Sequence, residues 1–146
     1  MMKGLTALVI NHWNELGRSI VQQLAKQGCN IVVNTLPNNA DESMEKEYQQ
    51  SQIISLAADL QKEIEVHDLV EQILQRFQTV DIVIFNNQYR RGYRASIEEF
   101  PLEHWRDIID RNVISTFSLI KTLWPHMKRQ HFGRIIHLVR IKRTNH

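Results

Sequence analysis

Few side chains in this 146-residue sequence are grouped in a way that does chemistry. Seven histidines invite a metal search. His12, His67, His104, His126, His131, His137 and His146 include no HxxxH pair and no cysteine partner, so no metal site is expected. Gln88-Tyr89-Arg90-Arg91-Gly92-Tyr93-Arg94 interleaves arginines with aromatics, a pattern able to stack on bases while neutralising phosphates. So short a run reads first as a solvated loop, and nucleic acid is not expected as a partner. Glu42, Glu45 and Glu47 read as a solvated helix face. Asn112 stands among apolar turns of a helical pattern, where an Asn reads first as a local hydrogen-bonded kink. The lone Cys29 allows no internal disulfide and fits a reducing, cytoplasmic setting; it reads as a small residue in a buried strand.

Charge and hydropathy narrow the classes further. Residues 1–78 carry 6 basic and 10 acidic side chains, net −4, and residues 79–146 carry 12 and 6, net +6. An anionic partner would therefore meet the second half. No apolar run approaches the ~18 to 20 residues of a membrane span, and the N-terminus has no signal-peptide pattern. A membrane partner is not expected. The length fits one domain with a single core.

The elements that must position any site alternate strand and helix. Thr6 to Ile10 is a short apolar run, as for a strand buried on both faces. Leu16, Ile20, Val21 and Leu24 make a helical stripe that stops at Gly28. Asn30 to Val33 reads as the second strand, Pro37-Asn38-Asn39 as a loop, and Asp41 to Gln50 as an exposed polar helix. Gln52 to Leu56 gives strand three, and Val66, Leu69, Val70, Ile73, Leu74 and Phe77 form the cleanest helical stripe. Asp81 to Phe85 is strand four, and Gly133 to Val139 strand five. Between them Phe100–Met127 reads as one long helix opened by Pro101. Its main stripe is Ile109, Val113, Thr116/Phe117, Ile120, Trp124 and Met127, flanked by Ile108, Ile114, Leu119 and Leu123. Such alternation predicts an α/β parallel sheet with helices on both faces and right-handed crossovers. Ligands in these sheets bind at the carboxyl ends of the strands.

In order and spacing the residues from about Lys3 to Leu138 resemble the N-terminal, Rossmann-like part of the short-chain dehydrogenase/reductase family. The matching pieces are Lys3 to Val9, Leu16-Gly17-Arg18-Ser19-Ile20, Ala58-Asp59-Leu60, Val80 to Val83, and Asn86-Asn87. Trp105, Asn112-Val113, Phe117, Pro125-His126-Met127 and Gly133-Arg134-Ile135-Ile136 complete the set. The resemblance implies a three-layer, doubly wound parallel sheet of five strands in the order 3-2-1-4-5, an NAD(P) cofactor, contacts to it from Asn11, Leu16, Gly17, Asn34, Asp59, Leu60 and Asn86, and a carbonyl or alcohol substrate. It makes Asn112 the one surviving member of a Ser–Tyr–Lys–Asn tetrad, in which Tyr is the general acid/base.

The departures from the family pattern carry as much as the matches. Where the family's first turn reads TGxxxGxG, these positions read Ile10 to Gly17, so two of three glycines are replaced. Asn11 is the mildest replacement because Asn tolerates the left-handed region. Glu15 is the severe one: a carboxylate about 5 Å from a pyrophosphate at an effective dielectric near 20 costs on the order of 3 kcal/mol. Strand two ends Val33-Asn34-Thr35-Leu36, with no acid for a ribose 2′-hydroxyl and no base for a 2′-phosphate, which leaves NAD or NADP open with a lean away from NAD. No tyrosine precedes a lysine by four: Tyr48, Tyr89 and Tyr93 are followed there by Gln52, Tyr93 and Ile97. The family's serine position falls on Val139 or Arg140, and the tail Arg140 to His146 matches nothing in the family. The expectation is a truncated, catalytically incompetent domain with weak cofactor binding. The alternatives are a dimerisation or anion-binding module, and half of a split reductase completed by a second chain. A homodimer through Phe100–Met127 is expected.

Overall fold

The computed structural model describes residues 2–11, 14–35, 52–86 and 95–139. The expected polar helix Asp41–Gln50, the loop at Pro37, the arginine-aromatic run and the tail from Arg140 lie outside them. Five strands form one parallel sheet: β1 (Thr6–Ile10), β2 (Asn30–Thr35), β3 (Ile53–Ala57), β4 (Ile82–Phe85) and β5 (Arg134–His137). Their order is β3-β2-β1-β4-β5, as the family resemblance implies. β1 is central, pairing Leu8 with Val32 on one side and with Val83 on the other. All five of its residues are buried, which explains the unbroken apolar run.

Helices cover both faces. Against one face α1 (Glu15–Lys26) sets Val21 beside Val9, Ile31 and Val33, with Ile20 and Leu24 beside Ala7, Ile82 and Ile84. Gly28 follows with φ of +87°, a conformation that L side chains rarely adopt. Against the other face α2 (Glu63–Phe77) buries Val66, Leu69, Val70 and Ile73. At the amino ends of the strands Asp81 ties the sheet together: its carboxylate accepts from the Thr6 N–H at 2.8 Å and from the Thr79 hydroxyl at 2.9 Å. Cys29 is buried just before β2, and its Sγ lies 3.7 Å from the Met2 carbonyl. Burial first, and then the Asp81 charge, push its thiol pKa up.

The long helix departs from the expectation in two ways. It is divided into α3 (Leu102–Ile109), a π-helical turn (Asp110–Ile114) and α4 (Ser115–Gln130). Pro101 stands just outside α3 with extended ψ of 133°, as the N-cap rather than the first helical residue. The long helix's apolar side chains are shared between the sheet and the surface. Leu119, Leu123 and Met127 pack on the sheet with Leu8, Val83 and Phe85, while Val113, Phe117 and Trp124 are exposed. The period finds two apolar stripes; it does not say which meets the sheet. Close packing decides that, because a Cβ on Gly133 would come within 2.5 Å of Met127 Sδ, so the start of β5 admits the Met127 side.

Candidate cofactor and active site

The carboxyl ends of β1 and β4 meet the start of α1, and three asparagines converge there. Asn11 ends β1 at φ of +62°, in the left-handed region that Asn tolerates. Asn14 is the N-cap of α1: its Oδ1 accepts from the Gly17 N–H at 2.7 Å. Asn86, one residue past β4 and 1% exposed, donates Nδ2 to the Asn11 carbonyl at 2.8 Å and to Asn14 Oδ1 at 2.9 Å. Its own Oδ1 is buried without a partner. The sequence reading names Asn11, Gly17 and Asn86 but not Asn14. An Asn directly ahead of a helical stripe is a signal that could have found it.

The other residues with an expected cofactor contact lie around this turn with different occupations. Gly17 is buried, whereas Leu16 is 46% exposed. Glu15 opens α1 as an exposed residue, where a carboxylate favours the positive end of the helix dipole. Asn34 is buried and directs Nδ2 to the Ala58 carbonyl at 3.2 Å, tying β2 to the segment after β3. Asp59 accepts from the Gln61 N–H at 3.0 Å and so shapes the turn ahead of α2, while Leu60 packs on the core.

Asn112 lies elsewhere, exposed on the π-helical turn, and its Nδ2 donates to the Ile108 carbonyl at 2.9 Å. The Thr116 hydroxyl donates to the Asn112 carbonyl at 2.7 Å, and the Ser115 hydroxyl to that of Arg111. Side chains that bond back onto carbonyls four residues earlier are what bends a helix. At the carboxyl end of β5 the exposed His137 ring stacks on Phe85 with centroids 4.6 Å apart. The sequence reading gave His137 no role beyond the metal search. Among the described residues no group of three His, Cys, Asp or Glu could hold a metal ion.

The five-stranded parallel sheet with helices on both faces agrees with what known proteins show. The family model described as short chain dehydrogenase matches residues 5–141. The chain belongs to that family. Its relatives include glucose 1-dehydrogenase 2 from Bacillus subtilis, 32% identical over 94% of this chain and 54% of that protein. D-beta-hydroxybutyrate dehydrogenase from Cupriavidus necator is 35% identical with the same coverage. A solved structure from Bacillus thuringiensis, described as a 3-oxoacyl-reductase, superposes with a TM-score of 0.81 at 26% identity, over 91% of this chain and 56% of that one. The chain thus spans about half the length of the relatives it matches.

Short-chain dehydrogenases generally use NAD(P), so the turn can be tested against a pyrophosphate. Such a group binds where first-turn N–H groups are open and no negative charge opposes it. Here Asn14 takes the Gly17 N–H, and Glu15 adds a carboxylate to the first turn. The residues present do not fit a pyrophosphate.

Proposed function

We propose that this short-chain dehydrogenase chain derives from an NAD(P)-dependent oxidoreductase of carbonyl or alcohol substrates and that these 146 residues do not catalyse the reaction unaided. The observation that carries the reading is at the reaction end of the sheet. Asn112 is the tetrad member supplied, the serine position falls on Val139 or Arg140, and no YxxxK pair occurs in the sequence. Without a tyrosine of lowered pKa no group transfers the substrate proton. Carbonyl reductase and alcohol dehydrogenase assays on the purified chain test this. Turnover above blank that Asn112→Ala abolishes would overturn it.

Cofactor affinity follows from the same reading. With two turn glycines replaced and Glu15 in the first turn, NAD(P)H is expected to bind no tighter than high micromolar. Titration by tryptophan fluorescence checks it, and low-micromolar binding would refute it.

A second reading, association through the long helix, has its own support. Trp105, Ile114, Phe117 and Trp124 are 54, 49, 63 and 55% exposed on Leu102–Gln130. Each large apolar side chain left in water forgoes about 1.5 to 3 kcal/mol of burial. We propose a homodimer through Phe100–Met127; a second chain that supplies a reductase's remaining half is the alternative occupant. Light scattering at ~100 μM distinguishes them, since a homodimer shows twice the chain mass whereas the split enzyme needs its partner.

A further inference from the structure

The asparagine cluster after β1 lies at the first turn of α1, where one of the helix's opening N–H groups is already bonded within the chain. The first N–H groups of a helix lack intrahelical partners and sit at the positive end of its dipole, so they attract an oxygen. In this chain the oxygen comes from within: Asn14 Oδ1, 2.7 Å from the Gly17 nitrogen. A cap on an open turn could swing aside for a ligand. This one is held from behind, because Asn86 Nδ2 donates to the same Oδ1 at 2.9 Å and is fixed by a second bond to the Asn11 carbonyl. Two donors fill both lone pairs of that oxygen. The orientation of the Asn86 amide is also forced. Its two Nδ2 partners are both acceptors, so turning the amide over would set oxygen against oxygen. The arrangement persists although it leaves Asn86 Oδ1 buried and unpartnered.

We propose that the Asn14 carboxamide, clamped by Asn86, is an internal stand-in for the phosphate oxygen of a dinucleotide, and that it excludes pyrophosphate more strongly than Glu15 does. Glu15 is exposed to water, which screens its charge. Asn14 instead competes for the same N–H group and is covalently present at any ligand concentration. The inference rests on the reading of the turn as a former dinucleotide site.

The test compares Asn14→Gly with Glu15→Gly, using inorganic pyrophosphate as probe and the Gly17 amide resonance in a 1H–15N spectrum as readout. Glycine at an N-cap costs helices only a few tenths of a kcal/mol relative to Asn, so Asn14→Gly should fold. Expected are a Gly17 amide that moves on titration in Asn14→Gly, and affinity about tenfold above the unmodified chain and above Glu15→Gly. A Gly17 amide that stays still in folded Asn14→Gly would overturn the proposal, as would an equal or larger gain in Glu15→Gly. Should Asn14→Gly not fold, Asn86→Ser loosens the clamp from the strand side. A gain in pyrophosphate affinity there supports the proposal, and no gain overturns it. Tight NADH binding by the unmodified chain is a separate result and strikes the reading of weak cofactor binding.

Discussion

The turn after β1 carries asparagines and the segment from Leu102 to Gln130 carries one asparagine with several serines and threonines, yet the two use these short polar side chains in opposite ways. In the turn, Asn14 and Asn86 reach across the chain, 72 residues apart in sequence, and bond to each other beneath the surface. In the helical segment, Asn112, Ser115, Thr116 and Thr122 each bond back four residues to their own helix. The turn therefore joins β1, α1 and β4 into one unit. The helical segment gains bends from these four groups, and its polar cross-connections lie elsewhere, from Gln130 to the Thr79 hydroxyl and the Val80 carbonyl and from Lys121 to Glu63. Its hold on the sheet comes from Leu119, Leu123 and Met127, while Phe117 and Trp124 face away. The difference teaches that the turn after β1 is tied within the chain, whereas the outer face of the helical segment presents a surface suited to further contact.

Breaking the apolar hold should have the largest effect. Leu123 is fully buried in the main core, so Leu123→Ala should lower unfolding free energy by about 2 to 5 kcal/mol in urea titration. Phe117→Ala, six residues earlier on the outer face, should change it by no more than about 0.5 kcal/mol when measured at dilutions where the chain is monomeric, because the proposed dimer would bury this side chain. If the two variants behaved alike, the assignment of faces would be wrong.

The polar half of the comparison predicts a smaller loss. Asn86→Ala removes two hydrogen bonds and strips the Asn11 carbonyl of a donor, for a cost of about 2 kcal/mol. That is reduced by whatever the unpartnered Oδ1 already forfeits. Asn112→Ala, at an exposed and back-bonded position, should stay within about 0.5 kcal/mol. A loss at Asn112 as large as at Asn86 would mean that the π-helical turn is held by more than its own backbone.

The smallest expected effect is a pH dependence on α4. Partial burial first, and then the Arg129 charge, lower the pKa of His126, whose Nδ1 lies 2.8 Å from the Arg129 guanidinium. The folded state thus favours neutral His126 relative to the unfolded chain. Its contribution is present above the ordinary histidine range near pH 6.5 and fades as pH falls through it. Urea midpoints at about pH 7.5 and 5.5 should differ slightly less in His126→Gln than in the unmodified chain. An unchanged difference would show that His126 protonates equally well folded and unfolded.

What the sequence determined by itself is the layout. The parallel alternation of strand and helix, the burial of β1, the helical stripe from Val66 to Phe77 and the left-handed residue at Gly28 follow from local patterns. Periodicity and glycine conformation are properties of neighbouring residues, and no distant partner is needed to read them. Asn11 is legible in the same way, since its side chain suits the conformation that the end of β1 requires. The tertiary structure alone decided the rest. Two apolar stripes on Leu102–Gln130 are equally periodic, and only packing against Gly133 and the sheet chose Leu119, Leu123 and Met127. Glu15 reads as an obstacle from its position in the motif and the Asn14 cap is a local signal, but the Asn86 bond that holds that cap emerges only when α1 is set against β4. Hydrogen bonds between residues far apart in sequence depend on where the sheet brings their backbones. Asn86 can clamp Asn14 because β1 and β4 are neighbours in the sheet, and no local pattern records that distance.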